Sequence, residues 1–176
     1  VYNDPTHRLV NRYVFCLQSE QKHIGKSTLI GKLTLSNVSG FGGEKDLSET
    51  SKEIKRSMCQ LFNMIWEEVD SLTRKEVNGL KTLISLSSYS GRVLYSEQQS
   101  TKPRTATLWA TVNPRDFLGS TDKRWIVHPI TDINFDYTDK VDFLDMWRQA
   151  FALWKSNPNA GELTRDELES HELTAS

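Results

Sequence analysis

Arg12-Tyr13-Val14-Phe15-Cys16-Leu17-Gln18-Ser19-Glu20-Gln21-Lys22-His23-Ile24-Gly25-Lys26-Ser27-Thr28-Leu29-Ile30-Gly31-Lys32-Leu33 carries the sharpest local signal in the chain. It opens on a short β-prone apolar run, Arg12 to Leu17. A polar loop follows, and from Lys26 onward Leu29, Ile30 and Leu33 fall at helical spacing. Strand, loop, helix is the order in which a phosphate-binding loop is built. Gly25 lets the backbone approach an anion, and the N–H groups at the helix start point at it. Lys26 reaches the outer phosphates, and Ser27 supplies the first hydroxyl to Mg²⁺. Ile24, Gly25, Lys26, Ser27 and Thr28 are therefore the predicted nucleotide-binding residues, with ATP and Mg²⁺ as the predicted ligands. Two positions depart from the full pattern. Glu20 stands where a glycine is usual, and His23 where many such loops carry another. A carboxylate at position 20 repels phosphate unless it points away. Taken alone, the segment reads equally as the start of an ordinary helix.

The second apolar run, Leu61-Phe62-Asn63-Met64-Ile65-Trp66, ends on Glu67-Glu68. A buried strand ending in acid is the form of a Walker-B element, whose first carboxylate holds the Mg²⁺ shell and whose second orients the attacking water. This predicts Glu67 as a metal-shell residue with Ser27, and Glu68 as catalytic base, with Asp70 competing for that role. A third run, Thr105 to Val112, ends at Asn113, a polar side chain placed to meet the γ-phosphate or the attacking water. The blander reading of Asn113-Pro114 is a turn. A fourth strand, Arg124 to Ile130, follows Lys123. An arginine there can be delivered to a neighbouring subunit's γ-phosphate, or can simply flank an edge strand. Arg92 and Arg104, in or beside a polar stretch, are candidate DNA or phosphate contacts. Tyr89 and Tyr95 are the candidates for stacking on single-stranded DNA. The five tryptophans read as core residues instead.

Between these strands the pattern predicts helices over Ser48–Gln60, with Ser48 as N-cap, and over Thr73–Leu86. A third helix is predicted over Lys140–Lys155, with Leu144, Trp147, Phe151 and Trp154 on one apolar stripe. Gly40 to Gly43 reads as a turn, and Ser85 to Thr101 as a loop or hairpin. Strands alternating with helices predict an α/β fold with a mostly parallel central sheet covered on both faces. The predicted domain spans residues 8–156, and residues 157–176 form an acidic tail or short helix.

The 176 residues suit one domain with a buried core. At 37% hydrophobic and 26% charged, the chain is neither disordered nor membrane-spanning in composition. The net charge of −1 excludes a whole-molecule basic field, so any DNA contact must come from local patches. No signal peptide or metal-ligand cysteine spacing is visible, and Cys16 and Cys59 read as two buried thiols in a reducing cytoplasm. The chain starts on Val1 and reads as a fragment of a longer protein.

Taken in order, these pieces resemble the virulence-associated E (VapE) family, within the superfamily 3 helicase-like P-loop ATPases of phages, plasmids and genomic islands. Leu17 to Thr28 is similar to its P-loop, Glu68-Val69-Asp70-Ser71-Leu72 to its acidic segment, and Leu80 to Ser85 to the helix that follows. Arg92 to Tyr95 is similar to its Arg-x-x-Tyr element, and Ala110 to Asn113 with Phe117-Leu118 to its sensor strand. Thr121 to Trp125 is similar to its Gly-Asn-Arg-Arg-Phe turn, with Lys123 in place of one arginine, and Phe143 to Leu153 to its C-terminal helix. The resemblance covers residues 8 to 155. It implies a RecA-like or AAA+-like core and assembly into a homo-oligomer such as a hexameric ring, with ATP between subunits. It further implies action on DNA, single-stranded or at a replication origin, during replication of a mobile element. It leaves Arg124 as the arginine-finger candidate. Two other readings stay open: a degenerate P-loop module with an assembly or regulatory role, motivated by Glu20 and His23, and a small kinase-like phosphotransferase using Ser85–Thr101 as a lid.

Overall fold

Short, largely apolar strands alternate with helices, and five of the strands come together as one parallel sheet. The structure, a computed structural model, describes residues 11–46, 51–92, 99–113, 124–158 and 166–167. Five strands form the main sheet: β1 (Val14–Gln18), β2 (Gly42–Glu44), β3 (Asn63–Trp66), β6 (Thr107–Val112) and β7 (Trp125–Pro129), in the order β2-β3-β6-β1-β7. Every neighbouring pair is parallel. A separate antiparallel hairpin joins β4 (Ser88–Arg92) to β5 (Gln99–Pro103). The helices are α1 (Lys26–Leu33), α2 (Ser51–Met58), α3 (Arg74–Ile84), α4 (Phe135–Thr138) and α5 (Phe143–Ser156).

Residue alternation divides the core into two layers, as a sheet covered on both faces requires. Val14, Cys16, Met64, Trp66, Leu108, Ala110 and Val112 face α2 and α3, where Ile54, Met58, Leu80, Leu83 and Ile84 close the larger cluster. Leu17 and Ile65 face the other way and meet Ile30 of α1, with Leu29, Trp109 and Ile130 packed beside them. This is the α/β arrangement, with a mostly parallel central sheet flanked by helices, expected of the sequence. β6, which sits between β1 and β3, brings the end of the third apolar run between the phosphate-loop strand and the acidic strand.

Several local expectations hold for visible reasons. α1 starts at Lys26, directly after Gly25. α3 begins after Thr73, whose side chain accepts from the Glu76 N–H while Glu76 reaches back to the Thr73 N–H, a reciprocal capping box. The polar stretch expected as a loop or hairpin is a hairpin, with Ser90 and Thr101 hydroxyls paired across it at 2.7 Å.

Others are corrected. Gly42 and Gly43, read as part of a turn or loop, begin the strand β2. At Gly42 a Cβ would lie 2.6 Å from the Thr34 carbonyl and 2.8 Å from the Ser36 Cα, so only glycine lets this edge close against the end of α1. The helix expected over Lys140–Lys155 is α5, which starts three residues later because Asp142 caps it by accepting from the Leu144 and Asp145 N–H groups; the short α4 before it was not foreseen. The α5 stripe is only partly core. Trp147 donates its indole N–H to the Leu33 carbonyl at 2.6 Å and packs edge-on against Phe41 and Phe62. Leu144 and Phe151 are 46% and 59% exposed, so those two positions of the stripe do not bury against this domain. Cys16 is buried, but Cys59 is only half-buried, and both are free thiols. Partial burial pushes the Cys59 thiol above its ordinary value, which keeps it protonated and weakly nucleophilic at neutral pH. Ser48, the expected N-cap of the second helix, and most of the acidic segment 157–176 lie outside the described residues.

No helix among the described residues is long and apolar enough to cross a membrane.

Candidate functional site

In a parallel sheet every strand delivers its C-terminal end to the same edge, and ligands of open α/β sheets bind there. The register fixes which residues meet. Cys16 of β1, Ala110 of β6 and Trp66 of β3 are level, so the loops after β1, β3 and β6 leave the sheet side by side. The Ser19–Gly25 loop, the Glu67-Glu68 pair and Asn113 therefore share one edge.

The loop from Ser19 to Gly25 is held at both ends. The Ser19 N–H donates to the Val112 carbonyl at 3.2 Å, and the Ser19 hydroxyl accepts from the Gln21 N–H at 3.1 Å. On the other side of β1, the Ile130 N–H donates to the Gln18 carbonyl at 2.7 Å. Gly25, at the helix N-cap, is left-handed (φ 91°), which glycine tolerates without strain. No side chain caps α1 and no acidic residue stands in its first turn, whereas α3, α4 and α5 are capped by Thr73, Asn134 and Asp142. The positive end of the α1 dipole, with no carboxylate of its own helix beside it, favours an anion at this turn.

His23 occupies the left-handed region as well (φ 61°). The position where such loops often carry glycine thus keeps the glycine-like backbone while the side chain differs. Histidine is among the residues enriched there. Replacing His23 with glycine should relieve about 1 kcal/mol of backbone strain, less a smaller entropic penalty, and raise the denaturant midpoint slightly. Unchanged or lower stability would show that the imidazole makes a compensating contact. Glu20 is exposed, so its carboxylate faces solvent and its repulsion of a bound anion is screened.

Lys26 is almost entirely buried. Its Nζ donates to Asn113 Oδ1 at 2.9 Å and to the Gln21 carbonyl at 3.4 Å. The amine thus spans the phosphate loop and the end of β6 in one reach. Beside it, the Glu68 N–H donates to the Thr111 hydroxyl at 3.2 Å. Glu68 itself sits in the left-handed region (φ 48°), a strained state for glutamate that persists only where the surroundings impose it. Glu67 and Glu68 are both exposed at this edge. A polar cleft of about 400 Å³ opens beside Ser27 and Thr28, walled by Gly31, Lys32, Ser36, Asn37 and Glu44.

Ser27 at the start of α1 and the exposed Glu67 after β3 are a hydroxyl and a carboxylate, hard oxygen donors of the kind Mg²⁺ takes. Mg²⁺ commonly takes one or two protein ligands and draws the rest from phosphates and water, which is what Ser27 and a carboxylate such as Glu67 could offer.

Other expected residues lie elsewhere. Arg104 was a candidate phosphate contact, and its position rules that out. It is 4% exposed, and its guanidinium donates to the carbonyls of Ala106 (2.9 Å), Ile84 (2.6 Å), Leu86 (3.4 Å) and Asn11 (2.8 Å). It ties the root of the β4–β5 hairpin to the core. Arg124 is at the other end of the sheet. Its carbonyl accepts from Val14 at the start of β1, so about 15 Å of strand separates it from the phosphate loop of its own chain. Arg92 ends β4, opposite Gln99. Tyr95, Phe117, Leu118 and Lys123 lie outside the described residues. Trp66, Trp109 and Trp125 are strand residues of the sheet, as expected, with the Trp109 indole donating to Asn63 Oδ1 at 3.0 Å. Thr111 and the Gln21 carbonyl were not singled out from sequence. The one available signal was the polar Thr111 inside an otherwise apolar strand.

The sequence matches the Virulence-associated protein E-like domain over residues 4–175. The chain belongs to that family. No curated protein sequence matches this VapE-like chain significantly. Among solved structures, it is similar to the apo form of the NrS-1 C-terminal region (305–718), with a TM-score of 0.53 at 11% identity, covering 94% of this chain and 35% of that one. A second structure, the A form of the same region, gives a TM-score of 0.49 at 10% identity, covering 94% and 34%. At such identity the first likeness concerns the fold alone. The VapE-like chain spans about a third of the length of those chains.

Proposed function

We propose that this VapE-like domain is a P-loop ATPase, and that it acts as a helicase-like motor on DNA in the replication of a mobile element. The observation that carries the first part is the convergence of Lys26, Asn113 and the Glu67-Glu68 turn on one sheet edge, beside an uncapped helix N-terminus. Membership of the VapE-like family supports the replication setting.

The N–H groups of Gly25 to Thr28 would hold the β-phosphate, and Lys26 would exchange its bond to Asn113 for the β- and γ-phosphates. Bound Mg²⁺ would neutralise the developing phosphate charge, with Ser27 and Glu67 as its protein ligands. Glu68 would orient and deprotonate the attacking water, the strained backbone and the Thr111 hydroxyl fixing its direction. Asn113, released from Lys26, would bond the γ-phosphate or that water. Arg124 stands too far from its own site to take part there. It would serve a neighbouring subunit's γ-phosphate, which accords with a homo-oligomer.

The DNA-facing element is best sought in the β4–β5 hairpin. It exposes Ser88, Ser90, Thr101 and Lys102, and leaves Tyr89 half-exposed. Its root is tied through Arg104 to Ala106, at the entrance to β6, the strand that leads to Asn113. Such an arm could pass nucleotide-dependent movement to a strand of nucleic acid.

The Glu68→Gln variant tests the mechanism. It keeps the size of the side chain and removes the base, so ATP should still bind while single-turnover phosphate release falls by about 10²- to 10⁴-fold. Release at the wild-type rate would remove Glu68 from the mechanism.

A further inference from the structure

Beyond the phosphates, a nucleotide has a base, and one aromatic side chain lies where that base must go. After Ile130 the chain turns back over the phosphate loop and enters α4. This single turn is fixed at both ends. Asn134 Oδ1 accepts from the Tyr137 N–H at 3.0 Å, and Asp139 pairs with Lys32 of α1. Phe135, the first residue of α4, lands on Gly25. A Cβ built at Gly25 would run into the ring Cζ and come within 2.6 Å of Cε2. The Lys32 ammonium lies 6.0 Å from the ring centroid. The ring thus bridges the first and last turns of α1 along the outside of the phosphate loop, and it remains partly exposed.

Burial alone gives a weak reason for this placement, since the ring keeps water on part of its surface and covers no other large apolar side chain of the core clusters. A nucleoside triphosphate seated on the N–H groups of α1 must extend its sugar and base away from the acidic edge, outward over Gly25 and Thr28. We infer that Phe135 is the stacking wall for that nucleobase, an inference that rests on the nucleotide reading above. Of the polar side chains of this turn, Asn134 is engaged in its cap and Asp139 with Lys32. The contact is therefore made through the π-face, which every base possesses, and it supplies affinity with little choice between bases.

Equilibrium binding with Mg²⁺ tests this, using ATP, GTP and inorganic tripolyphosphate as probes on the wild type, Phe135→Leu, Phe135→Trp and Lys26→Ala. Leucine preserves apolar bulk against Gly25 and removes the π-face. Phe135→Leu should weaken ATP and GTP alike by about tenfold and leave tripolyphosphate unchanged, and Phe135→Trp should retain nucleotide affinity. Wild-type ATP affinity in Phe135→Leu overturns the inference. So does an equal loss of tripolyphosphate, which would mean that the ring only shapes the loop. A wild type that binds none of the three probes removes the nucleotide reading itself, and the stacking role with it. Binding that is lost in Lys26→Ala but untouched in Phe135→Leu leaves the nucleotide reading standing and removes only this one.

Discussion

Lys26→Ala should lower ATP hydrolysis by about 10²- to 10³-fold, the usual penalty for deleting one preorganised donor aimed at transition-state charge. The reason is local. The amine is buried at the mouth of the loop, within bonding distance of both Asn113 and the Gln21 carbonyl, so a bound triphosphate would find it already desolvated and oriented. Lys32, a turn and a half further along α1, is paired with Asp139. Folding should survive. The two acceptors left behind lie at the sheet edge where water can reach them, so the melting temperature should move by only a few degrees, as for a loss of about 1 kcal/mol. Lys26→Arg should not rescue turnover, because a planar fork cannot occupy the position of a compact ammonium between two acceptors. Steady-state phosphate release and nucleotide binding, measured beside a thermal melt, separate the two effects. Full activity in Lys26→Ala would end the ATPase reading.

The largest effect on stability should come from Arg104. Its guanidinium is the common partner of carbonyls from the end of α3, from the approaches to β4 and β6, and from Asn11. Arg104→Met keeps most of the apolar stem and removes every donor, leaving those carbonyls without their charged partner. Hydrogen bonds to charged groups contribute about 1.5–3 kcal/mol each. They are not additive, and breaking a buried charged network typically costs about 3–5 kcal/mol. For a domain of this size that corresponds to a fall of about 10 °C in melting temperature. Arg104→Lys should recover part of it, since one ammonium cannot reach all these acceptors. The same pair of variants separates the structural role from a phosphate contact. If Arg104 met DNA, its loss would weaken binding and reduce the salt dependence while leaving the melt in place. A melt within measurement error of wild type would refute the structural assignment.

Much of the proposed nucleotide site is local in sequence. A β-prone run, a loop with Gly25 and a helix starting at Lys26 decide their own conformations, and apolar strands ending in Glu67-Glu68 or in Asn113 announce the edge of a parallel sheet. Their convergence follows almost automatically, because parallel strands present their ends together. Periodicity could not say what a polar side chain would meet across the chain. Arg104 looks from sequence like any basic residue beside a loop, and only packing turns it inward onto carbonyls from distant segments. The stripe on α5 reads as core, yet Trp147 alone finds an aromatic pocket, while Leu144 and Phe151 stay largely in solvent. β2 lacks any strand signal of its own, and it forms because glycine at position 42 permits a close approach to Thr34 and Ser36. Phe135 stands far from the phosphate loop in sequence, and the return of the chain after β7 sets it on Gly25. Sequence thus determined what each segment does by itself, through dihedral preference and hydrophobic period. Tertiary structure decided every role that depends on a partner far along the chain, because such pairings are set by the topology of the sheet and the shape of the space that remains.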